Sequence, residues 1–350
     1  MVRSKDELVS ILMVIRNNSE SIRECVKSIL NLTYTNFELI ILDNNSSDNS
    51  IQILNEFNDP RIKIISVKKN LGYACGNNYC YKFSRGNWLL VVNPDVIVDK
   101  NLLTELLLNF KLLSEKINSD KIIISPKILL LDEKINYFGG NINFLGFSTT
   151  HGFGKEDIFK KSCVKTDFFS GCCFLIKKED FKMLKGFDSN YFMYHEDVDL
   201  SLRARINDYH LYVINSTKIK HMKYVEDFQL NNLKYYLVER NRFITLIKIS
   251  PFLPYTILSL ILFEPILMIQ ALLSNKLKMR ALIYVDFLKN AKKYIFQKKE
   301  KNRVILNHKI DFTGISNFIE SRKTSLIIKI LNSYAKILFK LFWERFYIKK

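Results

Sequence analysis

No C-x-x-C pair joins any of the six cysteines (Cys25, Cys75, Cys80, Cys163, Cys172 and Cys173), which argues against a zinc site. No long apolar stretch precedes residue 16, where Arg3, Lys5, Asp6 and Glu7 intervene. A secretory leader is therefore not expected, and the thiols read as buried and reduced in a cytosolic protein. There is no Walker loop, no G-x-G-x-x-G and no internal repeat. The most apolar region, Pro251–Leu273, is interrupted by Glu264 and three prolines, and its longest uncharged stretch, Ile249–Phe263, has 15 residues. Roughly 18–20 are needed to cross a bilayer. Nor is charge of one sign widespread: the first 273 residues hold 34 Lys+Arg against 30 Asp+Glu, whereas Ser274–Lys350 holds 19 against 5.

What remains is the composition of a globular chain, 48% hydrophobic and 25% charged over 350 residues. That length allows one large domain or two modest ones. The first half alternates strand and helix. Strands are expected at Leu8–Ile15, Phe37–Asp43, Ile62–Val67, Trp88–Asn93 and Ile122–Leu131. Between them, helices are expected after an N-cap at Ser19 and at Ser47–Phe57, Tyr73–Ser84 and Asn101–Ile117. This rhythm implies an α/β fold with a mostly parallel sheet flanked by helices. Further on, Gly171–Lys177 reads as a strand, Val198–Asn207 as a helix, and Tyr212–Asn215 and Ile219–His221 as two short strands. Glycines 139, 140, 146, 152 and 154 mark a loop-rich stretch that suits an acceptor-facing region. A catalytic domain over 1–235 and a helical, basic region over 236–350 follow from the change of character near residue 235.

The C-terminal region points to a membrane surface. In Ser325–Lys350 a polar stripe carrying Lys329, Lys336 and Lys340 adjoins a wide apolar face carrying Ile327, Leu331, Leu338 and Phe342. Such helices lie on anionic bilayers. Its aliphatic density argues against a nucleic-acid partner. Pro251–Leu273 fits an interfacial or re-entrant segment, because Glu264 adds a few kcal/mol to the cost of full insertion. A peripheral protein on the cytoplasmic membrane face is the expectation.

Four motifs carry the chemistry. Asp43-Asn44-Asn45-Ser46-Ser47-Asp48 follows a strand, with Asp43 placed to accept hydrogen bonds from a nucleotide base. In Asn70-Leu71-Gly72-Tyr73-Ala74-Cys75-Gly76-Asn77-Asn78, two glycines at a helix start allow close backbone approach to phosphate. Trp88-Leu-Leu-Val-Val92 stops at Asn93-Pro94-Asp95, and parallel sheets place ligands beyond such strand ends. His195-Glu196-Asp197-Val198-Asp199 sets three carboxylates and a histidine within five residues at a helix start, more than capping requires.

In this order the motifs resemble glycosyltransferase family 2, particularly its rhamnosyltransferase-like members, over roughly Val9 to Tyr224. The resemblance implies a GT-A fold and an inverting transferase of hexosyl or rhamnosyl type. It also implies a nucleotide-diphosphate sugar donor, a glycan or lipid-linked acceptor, and a divalent metal, Mg2+ or Mn2+. It assigns donor binding to Asn17, Asp43, Asn45, Gly72, Gly76, Asn77, Asn93 and Arg203. Asp95 and His221, 24 residues beyond Asp197, become metal ligands. Asp197, of the Glu196-Asp197 pair, becomes the general base. The chain departs from the pattern where Asn93 replaces a first Asp of Asp-x-Asp, where Arg16 replaces an aromatic residue, and where Asp208 replaces a helix-ending glycine. A catalytically silent, membrane-bound nucleotide-sugar-binding paralogue is the alternative reading.

Overall fold

Long runs of apolar residues bury strands on both faces, which is how parallel strands covered by helices read in sequence. In the computed structural model, which describes residues 7–158, 161–224, 231–249, 253–305, 333, 334, 337, 340 and 341, β1 (Val9–Ile15), β2 (Phe37–Asp43) and β4 (Trp88–Val92) are buried along their whole length. β3 (Ile62–Ser66) is half-exposed, as befits the edge it forms beside β2. The intervening helices are α1 (Ile22–Leu30), α2 (Ser50–Asn55) and α3 (Gly72–Tyr81). There follow β5 (Val96–Val98), α4 (Leu102–Ile117), β6 (Ile122–Leu129) and β7 (Ile135–Tyr137). Beyond a hairpin of β8 (Gly140–Ile142) and β9 (Ser148–Thr150) come β10 (Cys163–Lys165), β11 (Cys173–Lys177), α5 (Lys178–Met183), α6 (Glu196–Ile206) and β12 (His210–His221). The last described elements are α7 (Asn232–Ile249), α8 (Leu253–Leu273) and α9 (Leu277–Ile305).

Among the described residues the main sheet runs β10-β12-β6-β11-β4-β1-β2-β3. The β3-β2-β1-β4 half is parallel, as the alternation of strand and helix implies. The other half is mixed: β11 lies antiparallel between β4 and β6, and β12 returns parallel to β6. β12 replaces the two short strands expected there. It is one strand whose register shifts between Ile214 and Lys218, where polar Asn215, Ser216 and Thr217 break the apolar pattern. The first helix is preceded by Ser21 rather than Ser19; the Ser19 amide instead donates to Asp48 Oδ2 at 2.9 Å.

The chain divides into two compact units: Met1–Gly139 with Gly152–Ala204 and Asp208–Phe228, and Gly140–His151 with Arg205–Asn207 and Gln229–Lys350. The glycine-rich 140–151 hairpin thus groups with the C-terminal helices. In the first unit, the core between α3 and the sheet gathers Leu12, Val14, Ile40, Leu42 and Ala74 with Phe169, Phe174 and Phe187. In the second, four charged side chains from three helices share a buried network. Arg242 meets Glu239 at 3.0 Å and Glu264 at 2.7 Å, and Arg280 pairs with both glutamates. Tyr284 donates to Glu264 at 2.7 Å. The tail helix expected over 325–350 lies outside the described residues apart from the five named above.

Candidate active site

The parallel register aligns the carboxyl ends of the strands: Ile15 stands beside Asp43, and Asp43 beside Ser66. The loops leaving these ends are knitted by short polar side chains. Asn17, in the left-handed region at φ 55°, accepts from the Ser47 amide at 2.8 Å. The Asn17 amide donates to Ser46 Oγ at 3.1 Å, and Asp43 Oδ1 accepts from the Ser46 amide at 3.0 Å. Asn45 also takes a positive φ of 65°, a conformation that asparagine tolerates better than most residues. Asp48 closes the loop. Burial would push its carboxyl up, but hydrogen bonds from Ser50 and Ser19 outweigh this and hold it at about 2.

Asn44 and Asn70, which lie in the motifs but carry no expected role of their own, join this loop to the next. Asn44 Nδ2 donates to Asn70 Oδ1 at 2.9 Å, and Asn44 Oδ1 accepts from the Leu71 amide at 2.7 Å. The loop ends at Gly72, φ 77°, where a Cβ would stand 2.5 Å from the carbonyl oxygen and ring of Phe192. Three expected donor-site residues have structural contacts. Gly76 is buried where a Cβ would lie 2.8 Å from Val14, so its small size seats α3 on the sheet. Asn77 is fully buried and donates to the Tyr73 carbonyl at 3.0 Å. Arg203 spends its guanidinium on Asp199 at 2.7 Å, on the Gly186 carbonyl at 2.8 Å and on the Leu184 carbonyl.

Asp95 and His221 meet. β5 pairs with β12 so that His221 faces Val96, and His221 Nε2 lies 3.2 Å from Asp95 Oδ2. The ammonium of Lys223, unforeseen in the sequence, stands 2.8 Å from the same oxygen. Burial would raise the Asp95 carboxyl; the His221 imidazole and the Lys223 ammonium beside it hold it well below the usual carboxylate range. Asp95 Oδ1 is buried without a hydrogen-bond partner among the described residues, and so is Asn93 Oδ1. A buried oxygen of this kind is ordinarily satisfied by a water, an ion or a ligand. An acidic oxygen and an imidazole suit a divalent cation that takes its remaining ligands from phosphate. Among the described residues no group of three or more His, Cys, Asp or Glu is placed to hold a metal, so the protein would contribute this pair.

The second carboxylate group lies one loop away. The Asn93 amide donates to the Cys172 carbonyl at 2.9 Å, while the neighbouring Gly171 amide donates to Asp197 Oδ2 at 2.9 Å. Tyr73, from the start of α3, donates its hydroxyl to the Gly171 carbonyl. The segment leading into α6 is strained: Phe192, Tyr194 and His195 all take positive φ, between 57° and 68°. The three acidic residues of α6 separate by partner. Asp199 is committed to Arg203 and Tyr191. Asp197 accepts from Gly171 and Val198 amides. Glu196 Oε2 is buried without a partner among the described residues. Burial raises both the Glu196 and Asp197 carboxyls, and Asp197's charge raises Glu196 further. Because two amides stabilise the Asp197 anion, the Glu196 carboxyl is the one raised further. A separate cleft, lined by Arg85, Trp88, Phe110, Lys177 and Lys178, opens at the amino end of β4, away from all these groups.

Residues 10–184 match the family model described as glycosyl transferase family 2. The chain belongs to glycosyl transferase family 2. The chain is similar to glycosyltransferase GlyG of Streptococcus pneumoniae serotype 4, 33% identical over 102 residues, 29% of this chain and 34% of that protein. It is similar also to the UDP-Glc:alpha-D-GlcNAc-diphosphoundecaprenol beta-1,3-glucosyltransferase WfgD of Escherichia coli, 36% identical over 92 residues, 26% of this chain and 36% of that protein. The matches thus span about a third of each relative (34% and 36%). The fold is similar to the crystal structure of GalNAc-T7 with UDP, GalNAc and Mn2+. Its TM-score is 0.57 at 15% identity, over 71% of this chain and 49% of that one. The family 2 chain therefore carries the GT-A-type architecture, its central sheet flanked by helices. The rhamnosyltransferase-like subtype is not distinguished by these matches.

Proposed function

We propose that the protein transfers a sugar from a nucleotide-diphosphate donor to a hydroxyl of a glycan or lipid-linked acceptor, with inversion at the anomeric carbon. The observation that carries this reading is the pairing of Asp95 with His221 beyond the end of β4, together with the buried, unpartnered Asp95 Oδ1. The named activity of the Escherichia coli relative, a UDP-glucose-dependent transferase acting on a diphosphoundecaprenol-linked sugar, supports the donor and acceptor classes. The proposal extends to a place in surface polysaccharide synthesis, at the cytoplasmic face of the membrane.

In this reading the loops bearing Asn17, Asp43 and Asn45 receive the nucleoside, and Asp43 accepts hydrogen bonds from the base. The diphosphate sits beyond β4, against Asn93 and Lys223. Asp95 and His221 would hold Mg2+ or Mn2+, which when bound offsets the charge that develops on the departing diphosphate. Asp197 takes the proton from the acceptor hydroxyl as that oxygen attacks, and its two backbone amides fix the carboxylate's orientation. Glu196, protonated, spares Asp197 a second adjacent negative charge.

Release of nucleoside diphosphate from a panel of sugar nucleotides, with Mn2+ and after chelation, tests this. Turnover with one donor that chelation abolishes is the expected result. Tight donor binding with no turnover in the presence of any acceptor glycan would favour the silent paralogue.

A further inference from the structure

α8 buries polar Thr256, Ser259 and Glu264 beside apolar Phe263, Leu267 and Ala271, and is apolar on the side it exposes. Thr256 and Ser259 are each 1% exposed, and Glu264 is held by Arg242, Arg280 and Tyr284. Opposite them Ile257, Leu258, Ile261, Met268, Ile269 and Leu272 recur at helical spacing and stand between 37% and 62% exposed. Exposed Pro254 and Pro265 fall on the same stripe. A helix facing water shows the reverse pattern. Tyr334, a described tail residue, touches Leu262 and Phe263 rather than the stripe.

We infer that this stripe of α8 is a lipid-facing surface on which the protein docks to an anionic bilayer, lying in the interface rather than crossing it. Two observations choose lipid as the occupant. An apolar patch of this extent marks an interaction surface, and its charged surroundings are basic. From Lys276 to Lys293 the chain carries five lysines and one acid, Asp286, besides the buried Arg280. The exposed stripe of α9 passes from Lys278 through Ala281, Leu282, Val285 and Leu288 to Lys289 and Lys292, with no acidic residue on it. Aliphatic residues edged by lysines match the acyl chains and headgroups of an anionic leaflet.

The charge network decides against spanning. Glu264 lies near the middle of the 21-residue helix, and Arg242 and Arg280 are buried against it at 0% and 1% exposure. Carrying Glu264 to the bilayer centre would either drag both arginines along or leave them buried without it. The inference is independent of the transfer reaction, because its readout is lipid binding.

Flotation of the full chain with vesicles of phosphatidylcholine, alone or mixed with phosphatidylglycerol, tests it. The protein is expected to float with the mixed vesicles and more weakly with the neutral ones. The double substitution I261D/I269D should lower the bound fraction by roughly a hundredfold, the loss of two aliphatic burials, with urea unfolding unchanged. K289E/K292E should remove only the preference for the anionic lipid, which also serves if the first variant fails to fold. Three results would overturn the inference. One is flotation of I261D/I269D equal to that of the parent. A second is retention of the parent in cell membranes through an alkaline carbonate wash, the behaviour of a spanning helix. The third is a parent that ignores vesicles but forms a dimer that I261D/I269D disperses, which would assign the stripe to a second copy.

Discussion

His221 reaches Asp95, with 3.2 Å between Nε2 and Oδ2, because β12 runs antiparallel to β5 and ends beside the residue that follows Asp95. The Met222 amide donates to the Asp95 carbonyl at 2.8 Å and fixes that ending. Backbone pairing rather than side-chain chance therefore holds the two groups together, and Lys223 arrives with them.

Asp95→Asn should lower transfer by on the order of a hundredfold or more and abolish Mn2+ binding measured by calorimetry on the donor complex. His221→Ala should weaken Mn2+ binding in the same assay. The carboxyl also leaves a pH signature. Its folded pKa lies below its ordinary value of 3.8, so the stability it contributes is present above that value and is lost as pH falls through and below it. Urea unfolding should show the parent losing more stability on acidification than Asp95→Asn. Equal acid sensitivity would contradict the ion pairs described.

Asp197→Asn should abolish transfer while leaving donor affinity nearly intact, measured by single-turnover kinetics beside calorimetry. Glu196→Gln is expected to behave differently. Its carboxyl is raised above the ordinary 4.5 by burial and by Asp197. A raised carboxyl contributes stability that is full below 4.5 and is lost as pH rises toward the folded value. Glu196→Gln should therefore be more stable than the parent at neutral pH and gain nothing at pH 4 or below. A variant destabilised equally at both values would mean that Glu196 is ionised in the fold.

The elements that frame this site could be read from residue order. The strand at Phe37–Asp43 has the bounds expected of it, because seven apolar or strand-compatible residues end at a run of turn formers. Asp208 in the left-handed region, φ 65°, was also foreseeable from its place at a helix end. Other features needed three dimensions. Gly76 and Asn77 look like ligand-binding residues in sequence, yet whether a small or amide side chain faces phosphate or a neighbouring strand depends on helix rotation. Lys223 lies two residues beyond a histidine of interest, but only the pairing of β12 with β5 shows which carboxylate it meets. The buried partners of Glu264 come from α7 and α9, and no spacing rule links them. Asn44 and Asn70 could have been suspected, since asparagines in adjoining loops at strand ends often bridge backbone groups.

Gly72→Ala should cost at least about 2 kcal/mol, from a positive φ and from contact with backbone. A Cβ there stands 2.5 Å from the Phe192 carbonyl oxygen, which cannot move without disturbing the strained segment before Glu196. Gly76→Ala first meets the side chains of Val14 and Leu42, and its φ is not positive. It should cost less. Thermal unfolding of the two variants checks the order, and donor affinity should fall for Gly72→Ala in parallel. If Gly76→Ala were the more damaging, helix seating rather than the Gly72 turn would dominate this region.

Glu264→Leu is the sharpest test of the buried network. Losing one of two acids leaves Arg242 and Arg280 sharing Glu239 alone, with Arg242 otherwise bonded to the Leu145 carbonyl at 3.0 Å. Breaking a buried pair by removing one partner typically costs about 3–5 kcal/mol, whereas replacing the whole set by packed apolar residues is often neutral. Glu264→Leu should therefore lower the free energy of unfolding by about that amount, with hydrogen exchange rising across α7 and α9. A combined Glu239→Leu, Arg242→Met, Glu264→Leu and Arg280→Met variant should recover much of the loss. Full stability in the single variant would show that the arginines find water, and the argument that Glu264 keeps α8 from crossing a bilayer would lose its footing.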